Sequence, residues 1–112
     1  MVFRTEFSEQ ADIDLDEILQ YISDELGAPQ AAERFYFAVF DKLDFLCDNP
    51  YMYPLHHNEI LNAKGLHFIV ISNFLLFYTV NDIKNVVTIV RILYGKRDLN
   101  AAFDSECTTE LF

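Results

Sequence analysis

At 112 residues, with 18 acidic and 8 basic side chains and a formal net charge of −10, the chain is long enough to bury one core and too short for two domains. Hydrophobic residues make up 52% of it and aromatics 15%, with 11 Phe, 6 Tyr and no Trp, which excludes a disordered chain and supplies more apolar surface than a small core consumes, so a partner is expected. The charge is uneven: residues 1–56 hold 12 acids and 3 bases, a net −9, while residues 60–99 hold 5 bases and 2 acids, a net +3, so a polyphosphate is repelled at long range and generic nucleic-acid binding is disfavoured.

Residues 2–7 read as a short opening strand. Ser8 is placed to cap a helix in which Leu15, Ile18, Leu19, Ile22 and Leu26 recur at three and four, and Gly27 closes it. Pro29 suits a first helical turn, and the next helix runs to about Cys47 with Ala32, Phe35, Val39, Leu43 and Leu46 on one stripe. The two form an antiparallel hairpin. Tyr36, Phe37, Phe40 and Phe45 widen the apolar arc of the second helix beyond one seam. Either that helix is sandwiched between the sheet and the first helix, or part of the arc docks another chain.

Asn49, Pro50 and Pro54 break the helix, and residues 56–64 read as an irregular connection. Three antiparallel strands with short turns follow over residues 66–71, 73–80 and 86–94, rich in β-branched and aromatic residues. Residues 99–103 allow one helical turn, and 104–112 read as a loose acidic tail. The order βααβββ predicts an α+β domain over residues 1–103, an N-terminal helical hairpin packed on one face of a small, mainly antiparallel sheet.

Few residue patterns carry chemistry. Asp12, Asp14 and Asp16 alternate like the start of a calcium loop, but Ile13 and Leu15 are apolar, Glu17 stands where glycine is required and Ser23 where the closing glutamate belongs. On a helix Asp12 and Asp16 instead form a solvated acidic ridge. His56, His57 and His67 have no Cys or carboxylate at ligand spacing, so no metal is expected, nor any cofactor. No nucleophile comes with a base and an orienting acid, and 3 glycines cannot build a phosphate loop. Cys47 and Cys107 lack the spacing of a redox pair. Without a cationic, apolar leader or a long apolar run, the chain reads as cytoplasmic, with no membrane contact and reduced thiols, the alternative being a single disulfide that would only staple the tail.

What remains is a cationic group of Arg91, Lys96 and Arg97, with Lys64 as a neighbour. Arg91, in strand register with Val87, Ile89 and Leu93, must pair with a carboxylate such as Asp98 or look into a groove. Lys96 and Arg97 leave the strand at Gly95, where a planar guanidinium suits carboxylate or phosphate. Two exposed solubilising charges are the plainer alternative.

Over residues 7–103 the chain resembles toxins of the RelE/ParE superfamily, the toxic half of type II toxin-antitoxin modules, also called plasmid stabilisation or addiction proteins. The resemblance is carried by Ala11, Asp14, Leu15, Ile18, Tyr21 and Ile22, then Pro29, Ala31, Ala32 and Phe35, then Leu46, Asn49, Pro50 and Pro54. It is most specific in Asn73, Phe74, Phe77 and Tyr78, followed by Val90 to Leu93 and Gly95 to Asp98. It implies neutralisation by an antitoxin whose acidic or amphipathic C-terminal part, disordered when free, wraps the toxin; we expect this at Tyr36, Phe37 and Phe40 and along a strand edge. The same arc would serve a homodimer.

Two actions are implied. One branch cuts mRNA in the ribosomal A site with lysines, arginines and a C-terminal tyrosine; the other, ParE-like, poisons DNA gyrase and cuts nothing itself. Matching the nuclease branch puts its strand lysines on Leu66 and Phe68, its strand arginine on Leu75 and its tyrosine on Phe103, and only Arg97 retains the cation. A nuclease would then rely on Arg97, Lys96 and His67, whereas a ParE-like toxin would bind its target through Arg91, Lys96 and Arg97, with no specific DNA binding of its own. The ParE-like reading fits better, because protein targeting needs no catalytic set. A decayed toxin-fold binding module is the third reading.

Overall fold

A computed structural model describes residues 3–55 and 59–95. Its elements are β1 (Arg4–Phe7), α1 (Glu9–Gln20), a π-helical turn (Tyr21–Glu25), α2 (Pro29–Asp48), α3 (Glu59–Ala63), β2 (His67–Ile71), β3 (Phe74–Asn81) and β4 (Val86–Tyr94). The sheet runs β1-β4-β3-β2, with β1 parallel to β4 and the other neighbours antiparallel. The fold is α+β, as expected, with the helical hairpin on one sheet face.

Ser8 does two jobs at the first junction. Its Oγ accepts the Ala11 N–H at 3.0 Å, capping α1, and its hydroxyl donates to the Val90 carbonyl at 2.8 Å. Its own N–H donates to Ile89 O at 2.9 Å, closing the β1–β4 ladder. From there α1 buries Ala11, Asp14, Leu15 and Ile18, the i, i+3, i+4, i+7 stripe of an amphipathic helix. The expected continuation to Leu26 is corrected: the last turn widens into a π-helix, with Leu26 N–H bonded to Tyr21 O at 3.1 Å. The wider turn buries Ile22 and leaves Leu26 58% exposed. Gly27 ends it at φ 61°, a left-handed conformation that suits glycine. Beyond Pro29, α2 buries the stripe Ala32, Phe35, Val39, Leu43 and Leu46.

Residues 59–63 are helical, not irregular. Leu61 is fully buried, and Gly65 (φ 74°) turns the chain so that the Leu66 N–H returns to Leu61 O at 3.1 Å. So short a helix has little stability of its own; it persists because Leu61 and Leu66 bury together. Ser72 in the left-handed region makes the two-residue β2–β3 turn, and Asn81 Oδ1 accepts the N–H groups of Ile83 and Lys84, each at 3.0 Å, in the β3–β4 turn.

A bulge shifts the β3–β4 register, so that Phe77 faces Arg91 while Tyr78 faces Ile89. It divides the apolar residues of β4 between two cores. Val87, Ile89 and Ile92 join the core under the helices; Val90 and Leu93 join a second cluster with Leu61, Leu66 and Phe77. The expected common face of Arg91, Val87, Ile89 and Leu93 is therefore corrected, because the extra residue breaks the two-residue period. The expected turn over 99–103 and tail over 104–112 lie outside the described residues. No helix among the described residues is long and apolar enough to cross a membrane.

Candidate binding surfaces

β1 ends opposite Ile89, so beyond that point the outer edge of β4 has no strand partner among the described residues. A carboxylate takes the strand's place. Asp14, held by α1, accepts the Ile92 N–H at 3.0 Å and the Arg91 Nε–H at 2.7 Å on Oδ2, while Oδ1 accepts from Arg91 Nη2 at 3.1 Å and from Gln10 Nε2 at 3.2 Å. The side chains of Arg91 and Asp14 are 3% and 6% exposed. Such a bidentate, desolvated pair fixes geometry more than it adds stability. Of the two expectations for Arg91, pairing with a carboxylate is the one observed, with Asp14 as a partner, and its guanidinium ties α1 to β4. Asp98 lies outside the described residues.

Asp14 was missed as that partner, although a signal for it existed. It falls on the buried stripe of α1, and a carboxylate there implies a buried cation or donor elsewhere.

Beside this pair opens a groove of about 900 Å³ bounded by the π-helical turn, α2, the β2–β3 turn and the end of β4. Phe74 forms an aromatic wall, its ring 5.2 Å from Phe35 and 5.8 Å from Tyr94 between centroids. Glu17 and Arg34 also line the groove. At its rim the Gly95 N–H donates to Asn73 O at 2.8 Å, locking the strand end to the turn. A Cβ on Gly95 would stand 3.2 Å from that oxygen, so glycine allows the close approach. Lys96 and Arg97, which follow directly, lie outside the described residues, as do His56, His57, Cys107 and Phe103.

The sheet face away from the hairpin is apolar. Leu61, Leu66, Phe77, Val90 and Leu93 are buried in one cluster, with Phe68 and Leu75 partly buried against it. Three of these, Leu66, Phe68 and Leu75, are the positions matched to the cations of a nuclease. Lys64 follows α3, half-buried.

His67 is half-buried and spoken for. Its Nδ1 donates to Tyr53 O at 2.7 Å, and its ring stacks on Tyr78 at 5.1 Å between centroids, 15° from parallel. The Tyr78 hydroxyl in turn donates to Pro50 O at 3.1 Å, and burial pushes its pKa up to about 12. The pair pins residues 50–53 to the sheet. Cys47 is half-buried; burial first, then Asp44 and Asp48, raises its pKa and keeps the thiol protonated, the opposite of an activated nucleophile.

On the hairpin's outer side the aromatic arc divides. Phe40 is half-buried against Phe7 at 5.9 Å, whereas Tyr36 and Phe37 are 42% and 57% exposed. Their rings form a continuous row, with Phe37 5.7 Å from Tyr36 and Tyr36 4.7 Å from Phe40. The sandwiched part of the helix is thus the stripe from Ala32 to Leu46 with Phe40 beside it, while Tyr36 and Phe37 stay exposed.

The family described as the ParE toxin of the type II toxin-antitoxin system, parDE, matches residues 5–99. Among solved structures, the chromosomal ParDE system of P. aeruginosa superposes with a TM-score of 0.65 at 18% identity, covering 84% of this chain and 96% of that one. The free E. coli toxin RelE, in a doubly substituted form, gives 0.63 at 15% identity over 97% and 100% of the two chains. The RelBE2 toxin-antitoxin complex of Mycobacterium tuberculosis gives 0.56 at 18% identity over 84% and 99%. At these identities the likeness is one of fold. No curated protein is significantly similar to the chain in sequence.

Proposed function

We propose that this chain, which belongs to the ParE toxin family of type II toxin-antitoxin systems, acts by binding a protein target, DNA gyrase, in the cytoplasm, and is neutralised by a cognate antitoxin. One observation carries the preference over RNA cleavage. A phosphate gaining charge in its transition state needs cations and a proton donor around it, yet the face matched to the nuclease site presents Leu66, Phe68 and Leu75 in an apolar cluster. His67, a base beside those positions, is held by Tyr53 O and Tyr78.

On this reading Lys96 and Arg97, which follow Gly95 in the sequence, contact the target. Arg91 acts as a positioning residue beneath the groove. The antitoxin covers the outer arc at Tyr36 and Phe37, with Phe40 supporting them.

Expression without the antitoxin is expected to block replication and give gyrase-dependent DNA breaks, relieved by the product of an adjoining reading frame. Ribosomes programmed with mRNA are expected to stay uncut; A-site cuts that disappear on Arg97→Ala would instead establish the nuclease. The acidic helical layer favours a second reading, a toxin-fold binding module without toxicity. Harmless overexpression with antitoxin binding retained would select it.

A further inference from the structure

We infer that the outer face of the α1–α2 hairpin docks a cationic amphipathic segment, so that the antitoxin's toxin-binding part is amphipathic with Lys and Arg around an apolar stripe, and not acidic as the resemblance also allowed. The inference rests on the proposed antitoxin role of this face and goes further by assigning the occupant's charge.

A shallow cleft of about 480 Å³ runs between the helices, lined by Leu19, Ala32, Tyr36 and Phe37, with Asp24 and Glu33 also on its lining and no cation there. Over the two helices the charge is predominantly negative: residues 9–48 carry eleven carboxylates against Arg34 and Lys42. Only Asp14 among the eleven is buried and paired with Arg91; the other ten are exposed. An apolar strip with two exposed aromatic anchors inside such a field supplies hydrophobic contact to any amphipathic segment but electrostatic complementarity only to a basic one.

The same charge argues against other occupants. A two-fold dimer through this face would set Asp24 and Glu33 of one copy against those of the other. The chain's own tail carries Asp104, Glu106 and Glu110 and no base.

The test uses two synthetic peptides of about 20 residues with the same Leu/Phe stripe, one with Lys and Arg on its polar face and one with Glu. Binding to the full chain is followed by fluorescence anisotropy, with circular dichroism confirming the fold of each variant. The cationic peptide is expected to bind saturably, to weaken about tenfold between roughly 50 and 500 mM NaCl, and to lose at least about tenfold on Phe37→Ser. The Asp24→Lys, Glu33→Lys double variant should reverse the preference. Equal binding of the two peptides, binding of neither, cationic binding unaffected by Phe37→Ser, or self-association of the free chain through Phe37 would each overturn the inference. None of these results bears on toxicity or gyrase, so failure here is separable from failure of the proposed function.

Discussion

The Asp14–Arg91 pair is an arrangement in which losing one member costs more than losing both. Arg91→Met leaves the carboxylate buried without its guanidinium and is expected to destabilise by about 3–5 kcal/mol. Adding Asp14→Leu should recover part of that. Recovery stays incomplete, because the Ile92 N–H, now bonded to Asp14 Oδ2 at 3.0 Å, loses its acceptor at a cost of about 1–3 kcal/mol. Urea denaturation of the two single variants and the double variant measures all three terms, and strict additivity would contradict a coupled pair.

Tyr78 makes a prediction about alkaline pH. Burial raises its folded pKa from the ordinary phenol value of about 10 to about 12, so its contribution is fully present below pH 10 and is lost as pH rises through 12, where the buried phenol must ionise. A shift of this size corresponds to about 2–3 kcal/mol. Relative to the parent chain, Tyr78→Phe should lose less stability between pH 9 and 12, read as a smaller fall in the denaturation midpoint; parallel pH profiles would show that Tyr78 is not the group responsible.

Among the elements, α3 and the α1 cap are both small, yet they serve different ends. Leu61 is fully buried at the centre of the second cluster, so Leu61→Ala should cost about 2–4 kcal/mol despite lying in a five-residue helix. A surface-like loss under about 0.5 kcal/mol would mean that α3 is not part of the core. Ser8→Ala removes both the α1 cap and the hydroxyl bond to Val90 O. Its expected cost is about 1–2 kcal/mol, at the upper end for a cap, since a sheet carbonyl is orphaned at the same time. The π-helical turn has a different consequence. By adding a residue to the turn it leaves Tyr21 and Leu26 exposed beside the groove while Ile22 stays in the core, which shapes a surface rather than a core.

For the whole molecule, an acidic helical layer stands opposite the apolar cluster of the second sheet face. A partner that binds only the folded chain stabilises it by mass action, by about 2.7 kcal/mol at a free concentration one hundred times its Kd. Thermal unfolding with the antitoxin should therefore shift upward with its concentration. A midpoint independent of concentration would mean that the partner does not recognise the native state.

Much of this molecule was legible in the residues alone. The Ser8 cap, the Pro29 start, the α2 stripe from Ala32 to Leu46 and the three later strands follow from local chemistry: a side-chain oxygen for orphan amides, a fixed φ, and periods of 3.6 and 2. Local rules also required Arg91 either to pair with a carboxylate, such as Asp98, or to look into a groove. Only the tertiary structure decided between the two, with Asp14 as a partner. Asp14 lies 77 positions away in the chain, on α1, and no spacing rule joins a helix to a strand so remote in sequence. The same limit hid α3, the π-helical turn and the bulge at Phe77 and Tyr78, because each is held by contacts remote in sequence against a weak local preference. Where a side chain's conformation is set by its neighbours along the chain, the sequence suffices; where burial against a distant element outweighs propensity, the fold has to be seen.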